Sequence, residues 1–347
     1  MHQGGVMAAA AAPLVSFVVA AYNAERTLQR TLGSLATDVD PQRCEVLVID
    51  DGSTDGTARI AEGFCRLNPQ FRLLRQENRG LGAVRNRGVE EARGDYLAFC
   101  DADDVFLPVN HLAFAERLQA QQADLGIGLA FCLTDNASVC DFWDHAVVRL
   151  LARPEAAPLR PALKFLTQPS ACNKLFRREH VLAHGIRFTP GRLFEDVEFT
   201  TGALLHTGRV AFEALHLFIY DVRRPGSITG SRSPRRMEIL DNLVPLIARA
   251  NRCALDGAQS VCLLVALLRT VLWCLDNLPD ELVPDFGLRL LTTVAQCRLV
   301  LRPADAEALD PLITDPWDRR ALGLVKALWF SSLDAPQLLQ LLARLRG

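Results

Sequence analysis

The sequence predicts an α/β fold in which a mostly parallel mixed sheet is flanked by helices and followed by a helical C-terminal region. Strand-like and helix-like segments alternate over the first half of the chain, and the last third shows only helical periodicity. In the expected organisation, residues 1–12 form a disordered tail, 13–225 an α/β domain and 226–347 a helical region. Acidic clusters after several strands place the predicted chemistry in the α/β domain.

Four short apolar runs rich in β-branched residues indicate buried strands. They occupy residues 14–20, 45–50, 71–74 and 95–100. Helix-period stretches at 24–36, 54–66 and 83–92 separate these strands, with Asn23 and Ser53 as candidate N-caps of the first two helices. This alternation is typical of βαβ units, which build a parallel sheet.

In the second half of the chain the regular alternation of strand-like and helix-like segments ends. A helix near 109–122 and a strand over "DLGIGLAFCL" are followed, from about Pro154, by proline-punctuated segments and a helix that opens near Phe194. The Arg/Pro/Gly/Ser-rich stretch 223–236 is the predicted boundary, because such polar stretches mark loops between periodic segments. Beyond it the pattern is helical almost to the end.

Composition excludes several classes of protein. The chain has 38 Lys and Arg against 40 Asp and Glu, a formal charge of -2, without a basic run that would indicate nucleic-acid binding. The ten cysteines form no CxxC pair and no cluster at zinc spacing, so we expect reduced thiols. The N-terminus lacks the basic region of a secretion signal, and we expect a cytoplasmic protein.

The most apolar stretch is residues 258–275. Arg269 interrupts this run, which is barely long enough to cross a bilayer at about 20 residues. We expect a buried helix, with peripheral contact to the cytoplasmic face of a membrane or pairing in a homo-oligomer as open alternatives, because a helix apolar on most sides must be covered.

Polar clusters follow the predicted strands, where open α/β sheets bind ligands. "AAYNAE" follows the first strand, "DDGSTDG" the second and "DADD" the fourth. Carboxylates repel a bare phosphate, but they suit a phosphate bridged by a divalent cation, or hydrogen bonds to ribose and base. Neither GxxxxGK[ST] nor a GxGxxG after the first strand is present, which argues against a P-loop ATPase and a dinucleotide-binding fold.

Five blocks occur in order within roughly residues 14–225, namely "VSFVVAAYNAERTLQRTLGSL", "EVLVIDDGSTDGT", "ENRGLGAVRNRGVEEARGDYLAFCDADD", "NKLFRREHV" and "LFEDVEF". Together they resemble the family-2 inverting glycosyltransferases, which have the Rossmann-like GT-A fold. Ala21 replaces the usual proline before the Tyr-Asn pair, and the tryptophan common near Asn-Lys-Leu is absent. The resemblance implies a nucleotide-sugar donor, with a UDP-sugar favoured, Mn²⁺ or Mg²⁺, and a carbohydrate or lipid-linked acceptor in polysaccharide or glycoconjugate synthesis.

The resemblance also implies roles for four carboxylates. Asp103 of the DxD motif corresponds to the direct ligand of the metal ion, and Asp101 to a contact of ribose or the donor sugar. Asp196 corresponds to the catalytic base that takes the proton of the acceptor hydroxyl, with Glu195 beside it as the other catalytic candidate. The alternative for both pairs is an acidic cluster that caps a helix.

The remaining candidates are expected to bind the donor. They are Tyr22, Asn23, Glu25, Asp50, Asp51, Gly82, Arg85, Asn86, Arg223 and Arg224. Asp51 is expected at the uracil edge or ribose and Tyr22 on the base, while Arg85 and Asn86 meet the diphosphate or sugar hydroxyls. Structural alternatives stay open for each kind of residue: an Asp-Gly-Ser turn, a core tyrosine, a surface arginine and, for Arg223 and Arg224, a solvated linker.

Other functional classes stay open at this point. A nucleotide-sugar-binding protein without turnover would keep the strand-end loops but would not need the Glu195–Asp196 pair. An assembly protein built on the C-terminal helices would need neither, and a sugar-nucleotide pyrophosphorylase would have a glycine-rich first loop that this sequence lacks. Residues 237–347 are expected to be a helical appendage that covers the acceptor side or joins subunits.

Overall fold

The computed structural model describes residues 12–37, 40–134, 136, 138–222, 232–297 and 299–346. The predicted donor contacts Arg223 and Arg224, almost all of the predicted tail 1–12 and most of the predicted boundary 223–236 lie outside these residues.

The core of the described chain is a nine-stranded mixed sheet. The strands are β1 (Val15–Ala21), β2 (Cys44–Asp50), β3 (Phe71–Arg75), β4 (Tyr96–Asp101), β5 (Val105–Phe106), β6 (Leu125–Leu133), β7 (Val139–Asp141), β8 (Lys174–Arg177) and β9 (Val210–Asp221). Their order is β3-β2-β1-β4-β8-β6-β9-β5, with β7 paired to β6. Strands β1 to β4, β6 and β9 run in one direction, and β5, β7 and β8 run against them. The predicted mostly parallel sheet is confirmed.

The four strands predicted from apolar runs are confirmed to within one residue at each end. All seven residues of β1 and all seven of β2 are buried, because helices cover both faces of the sheet. A strand that is buried on both faces has a continuous apolar sequence, and this is why the strands could be predicted from the sequence.

Fourteen α-helices surround the sheet or follow it within the described residues. They are α1 (Leu28–Ala36), α2 (Thr57–Leu67), α3 (Leu81–Glu91), α4 (Pro108–Ala120), α5 (His145–Ala152), α6 (Arg160–Leu163), α7 (Arg178–Ala183), α8 (Glu195–His206), α9 (Ile239–Arg252), α10 (Gly257–Asp276), α11 (Val283–Gln296), α12 (Pro303–Leu309), α13 (Pro316–Phe330) and α14 (Ala335–Leu345). The helix expected near Phe194 is α8, which begins at the next residue.

The two predicted N-caps are wrong. Helix α1 begins at Leu28 and α2 at Thr57, and neither has a side-chain cap in the described structure. Instead, the backbone N–H of Asn23 donates to Ser53 Oγ over 3.0 Å, and Thr54 N–H donates to Asn23 Oδ1 over 2.9 Å. Asn and Ser bond loop backbone as readily as they cap helices, and here they join the loops that follow β1 and β2.

Two hydrophobic clusters lie on opposite faces of the sheet, so neighbouring β1 residues Val18 and Val19 belong to different clusters. The Val18 cluster runs without a break into the C-terminal helices, including Leu243 of α9 and Val261 of α10. These helices therefore complete the core that covers one face of the sheet.

Helix α10 is the expected buried helix. It is long and apolar enough to span a membrane, but 72% of its most apolar window is buried inside the molecule. Helices α6, α9, α12 and α13 pack around it. Arg269, which interrupts the apolar run, is buried against Asp318 at 2.6 Å and also donates to the backbone carbonyl of Leu166 over 3.0 Å. All ten cysteines lie within the described ranges and are free thiols, as predicted.

Candidate active site

The carboxyl ends of β1, β2 and β4 bring three of the acidic loops to one edge of the sheet. In the parallel register Ala21 lies opposite Asp50, and Ala20 lies opposite Asp101. The side chains that follow these strands therefore surround a common cleft, as expected for ligand sites of open α/β sheets.

The loop after β1 is tied to the loop after β2. Glu25 Oε2 accepts from Gly56 N–H over 2.9 Å, and Glu25 N–H donates to Asp55 Oδ2 over 3.2 Å. Asn23 has φ +47°, a left-handed conformation that asparagine tolerates better than most residues. Tyr22 precedes this tie and is 52% exposed, so its ring is available to a ligand.

Asp50 and Asp51 organise the loops around them. Asp51 is buried and accepts from Gln76 Nε2 at 2.8 Å, Arg79 N–H at 2.9 Å and Gly80 N–H at 2.8 Å. Asp50 accepts from Ser53 N–H over 3.1 Å. The contacts of both carboxylates with a nucleotide stay predictions, and in this structure both hold the walls of the cleft.

The beginning of α3 is packed tightly against the segment that precedes α8. A Cβ atom added at Gly82 would lie 2.8 Å from the carbonyl oxygen of Thr189. The Asn86 side chain forms two hydrogen bonds with the backbone of Phe188, as donor at 2.8 Å and as acceptor at 2.9 Å. Gly82 and Asn86 thus join two elements of the cleft, and their contacts with a donor sugar stay predictions.

Arg85 bridges the strand-end cluster and the start of α8. Its guanidinium donates to Asp101 Oδ1 over 2.7 Å and to Glu195 Oε1 over 2.8 Å, and it lies over the Phe188 ring at 5.4 Å. Burial alone would lower the pKa of Arg85, but the charges of Asp101 and Glu195 raise it above its usual value. Arg85 is 4% exposed and therefore stays a buried cation between two carboxylates rather than a surface arginine.

The DxD motif ends β4 and turns into β5. Asp101 is partly exposed and its Oδ2 lies 3.8 Å from Cys172 Sγ, while the carbonyl of Asp103 accepts from Arg30 Nη2 over 2.7 Å. Asp104 is buried, and burial together with the charge of Asp101 raises its pKa well above the usual range. The carboxylates of Asp101 and Asp103 are the hard oxygen donors that Mg²⁺ and Mn²⁺ prefer.

A complete protein-made metal site is not found in the described part of the chain, where no three His, Cys, Asp or Glu side chains are grouped closely enough. The donor set of the DxD motif therefore fits a cation that also takes oxygens from a ligand or from water, which is the usual binding mode of Mg²⁺ with phosphates.

Glu195 and Asp196 diverge at the start of α8, because successive helical residues are about 100° apart. Glu195 faces Arg85, whereas Asp196 Oδ1 accepts from Val197 N–H over 2.9 Å. Burial raises the pKa of Asp196 to about 7, the charge of Glu195 adds to this effect, and the charge of Arg85 opposes it. A carboxyl group with such a pKa can exchange a proton near neutrality.

Sequence reasoning missed the part played by Lys174. Its ammonium is fully buried and donates to Gln168 O at 2.6 Å, Ser170 O at 2.8 Å and Asn173 Oδ1 at 2.7 Å. Burial lowers the pKa of Lys174 to about 8. These bonds fix the segment that places Cys172 beside Asp101. The signal was available, because Lys174 is one of three lysines in the chain and lies in the block "NKLFRREHV".

Comparisons with known proteins agree with this geometry. Residues 16–181 match the family Glycosyl transferase family 2. The chain is 33% identical over 266 residues to the succinoglycan biosynthesis protein ExoO of Rhizobium meliloti (strain 1021), covering 71% of this chain and 70% of that protein. The chain belongs to glycosyl transferase family 2. It spans about half the length of EpsH of Bacillus subtilis (strain 168), with 32% identity over 187 residues, 54% of this chain and 53% of that protein.

Solved structures show the same fold. S. aureus TarS 1-349 in complex with UDP-GlcNAc matches with a TM-score of 0.70 at 18% identity, covering 96% of this chain and 91% of that one. The mannosyltransferase PcManGT from Pyrobaculum calidifontis, in complex with GDP-Man and Mn²⁺, matches with a TM-score of 0.52 at 18% identity, covering 96% and 85%. The expected GT-A fold is confirmed, and the likeness extends over the C-terminal helices.

Proposed function

We propose that this family-2 glycosyltransferase transfers a sugar from a nucleoside diphosphate sugar to a hydroxyl of a saccharide or lipid-linked acceptor, with inversion at the anomeric carbon. The observation that supports this proposal best is the Arg85 bridge, which joins Asp101 of the DxD motif to Glu195. It brings the carboxylates suited to a donor complex next to Asp196, a carboxyl group whose pKa suits a base. ExoO is named as a succinoglycan biosynthesis protein, which supports a role of this chain in polysaccharide or glycoconjugate synthesis.

In the proposed reaction Asp196 acts on the acceptor. Its carboxylate takes the proton of the acceptor hydroxyl while that oxygen forms a bond to the anomeric carbon. The bond from this carbon to the diphosphate breaks on the opposite face, and the electron pair leaves with the diphosphate. The raised pKa of Asp196 makes its carboxylate a stronger base than an exposed aspartate, and a pKa of about 7 still leaves the group partly ionised near neutral pH.

On the donor side, Asp103 would hold Mn²⁺ or Mg²⁺, and a bound cation neutralises charge on the departing diphosphate. Asp101 stays oriented by Arg85 and lies where ribose or the donor sugar is expected. The exposed ring of Tyr22 is available to stack on the base. UDP-GlcNAc, the ligand named for TarS, makes UDP-sugars the first donors to test.

A thermal-shift panel of UDP-glucose, UDP-galactose, UDP-GlcNAc and GDP-mannose, each with and without Mn²⁺, tests the donor. A ligand that binds the native state raises the apparent melting temperature. We expect a shift with at least one of these donors that requires Mn²⁺, accompanied by slow release of the nucleoside diphosphate. Absence of both effects with all four donors contradicts the proposal.

A nucleotide-sugar-binding protein without turnover is the alternative. It would give the same Mn²⁺-dependent thermal shift, but no nucleoside diphosphate would be released with or without an acceptor. The raised pKa of Asp196 favours the enzyme, because a binding protein gains nothing from a partly buried carboxyl group poised near neutrality.

A further inference from the structure

The segment that leads into α8 is held by the C-terminal region. We call residues 191–194 the pre-α8 loop. Leu193 N–H donates to Glu238 Oε2 over 2.8 Å, and Arg235 Nη2 donates to the carbonyl of Gly191 over 3.4 Å. Arg235 and Glu238 also form an ion pair at 2.7 Å, in the short 3-10 turn that precedes α9. The loop therefore rests on residues that lie beyond the α/β domain in sequence.

The last residue of the pre-α8 loop has an unusual backbone. Phe194 has φ +66° and ψ 30°, a left-handed conformation that is unfavourable for a residue with a large side chain. Its carbonyl accepts from Val197 N–H and from Asn242 Nδ2 of α9, both at 3.2 Å. Its ring meets Trp273 of α10 edge to face, with centroids 6.2 Å apart. Contacts from α9 and α10 thus hold the turn from which α8 starts.

The stability of the fold alone does not account for an asparagine at position 242. It is 2% exposed, and its Oδ1 has no hydrogen-bond partner among the described residues. An unsatisfied buried acceptor is unfavourable, and an apolar residue of similar size would avoid it. The carbonyl of Phe194 can only accept, so the amide must present Nδ2 to it.

Trp273 is itself fixed on a second side. The guanidinium of Arg236 lies 4.0 Å from the centre of the Trp273 ring, and Arg236 is almost fully buried. A cation over an indole is attracted by the negative face of the ring. The ring that contacts Phe194 is therefore also held by Arg236, which suits a group that must keep a strained turn in place.

We infer that Asn242 and Trp273 are positioning residues for sugar transfer: they fix the turn at Phe194 and thereby set the direction in which Asp196 points. This inference rests on the proposed role of Asp196 as the base. Two anchors then determine the start of α8, with Arg85 holding Glu195 from the sheet side and α9 and α10 holding Phe194 from the other. The C-terminal helices would contribute to catalysis without touching the reacting atoms.

Asn242→Leu tests the inference, because it removes the Nδ2 donor and keeps the number and branching of the side-chain heavy atoms. Leu322→Ala is the matched control: Leu322 is equally buried, but it lies on α13, which packs against α10 and α12. The assay measures nucleoside diphosphate released by the full chain from a mixture of UDP-glucose, UDP-galactose, UDP-GlcNAc and GDP-mannose with Mn²⁺. Affinity for UDP with Mn²⁺ and amide hydrogen exchange over residues 194–198 are measured on the same variants.

We expect Asn242→Leu to slow release by about 10- to 100-fold, the usual effect of misplacing a reacting group by a fraction of an ångström to one ångström. Its affinity for UDP should stay within about threefold of wild type, a change much smaller than the expected loss of rate. Amide exchange at the start of α8 should be faster. Leu322→Ala should lower the melting temperature, but it should neither slow release of nucleoside diphosphate nor speed amide exchange at the start of α8.

Two outcomes overturn the inference. The first is release by Asn242→Leu that is no slower than release by Leu322→Ala, and the second is unchanged amide exchange over residues 194–198. Asp196→Asn in the same assay separates the two proposals. If Asp196→Asn releases product like wild type, the proposed base fails; if it is inactive while Asn242→Leu matches the control, only the positioning role fails. If wild type releases nothing, the exchange measurement still decides whether Asn242 holds the turn.

Discussion

Arg85 shows what single residues do in this site and why the sequence conceals it. The sequence places Arg85 at a helix start, near a predicted ligand, and offers a free surface arginine as the alternative. The structure gives it two carboxylate partners, one 16 and the other 110 positions away in the chain. Partners at such separations depend on how the strands order themselves, which no local pattern encodes. Asp51 is a similar case: it follows β2, but it binds the backbone of Arg79 and Gly80 in the loop after β3.

The metal assignment is tested at Asp103. We expect Asp103→Ala to lose Mn²⁺-dependent binding of donor while the protein stays folded, because the change removes a hard oxygen ligand from a half-buried turn. Isothermal titration with UDP and Mn²⁺ measures the effect. Asp95→Ala is the control, since it removes the same charge just before the start of β4, at the opposite end of the strand. Wild-type affinity in Asp103→Ala would remove the assignment.

The proposed base is tested at Asp196. We expect Asp196→Asn to bind UDP and Mn²⁺ like wild type but to lose transfer by about 100- to 10,000-fold, the usual contribution of a general base. Because the base must be ionised, the wild-type rate should rise with pH through about 7 and then level off. Burial of the carboxyl group, together with the charges of Glu195, Arg85 and Asp101, sets this midpoint. Lys174 lies close enough for the charge of Asp196 to raise the pKa of its ammonium. A rate that is independent of pH in this range would count against Asp196.

The same pKa shift has a consequence for stability. Folding raises the pKa of Asp196, so the native state binds more protons than the unfolded state between the ordinary aspartate value of about 4 and about 7. Stability contributed by this group therefore falls as pH rises through that window. Asp196→Asn should melt a few degrees above wild type at alkaline pH, and the difference should vanish in acid. Melting curves at several pH values measure this, and a lower melting temperature for the variant at alkaline pH would contradict it.

At the scale of helices and strands, burial of a strand on both faces could be predicted from the sequence, whereas the exact starts of helices could not be predicted from candidate N-cap residues. The four strands follow from continuous apolar runs, which few alternatives can accommodate. The starts of α1 and α2 were misplaced by about one turn, because Asn23 and Ser53 bond to each other's loops. The left-handed turn at Phe194 could not be predicted either, since a phenylalanine gives no signal for it and distant helices hold it.

The packing of α3 against the segment before α8 is tested at Gly82. A methyl group there would meet the Thr189 carbonyl oxygen at 2.8 Å, so Gly82→Ala must push the two elements apart. We expect a loss of about 1–3 kcal/mol in the free energy of unfolding, as for other overpacked sites. Gly33→Ala in α1 is the control, because nothing lies within 4 Å of its added Cβ. There the change should be neutral or stabilising by up to about 1 kcal/mol; urea unfolding compares both variants, and equal stabilities would contradict the prediction.

At the scale of the whole molecule, the fold was predictable and the relation between its two regions was not. The order of strand, helix and acidic loop predicts the mostly parallel sheet and its ligand-binding edge. Helical periodicity after residue 236 predicts the C-terminal helices, but it does not reveal which surface they cover. That surface depends on apolar side chains spread over the sheet, α8, α9 and α10, which come together only in the folded chain.

Cutting the chain near residue 236 tests whether the two regions are independent. One continuous cluster joins Val18 of β1 and Phe199 of α8 to Leu243 of α9 and Val261 of α10, so removing the last helices would expose one apolar face of the sheet layer. An exposed apolar face of this size leads to association or loss of structure. We expect the fragment to aggregate or to bind a hydrophobic dye, with no sugar transfer.

A smaller deletion provides the control for this cut. Removing residues 334–347 deletes α14, which packs against α11 and buries Leu338 and Leu342. This change leaves α9 and α10 on the pre-α8 loop, so we expect a less stable protein that still binds UDP and Mn²⁺ and still transfers sugar. Solubility, circular dichroism and release of nucleoside diphosphate distinguish the two deletions. A soluble fragment ending near residue 236 with full transfer would show that the helices serve neither the core nor the proposed base Asp196, because both depend on the same contacts of α9 and α10.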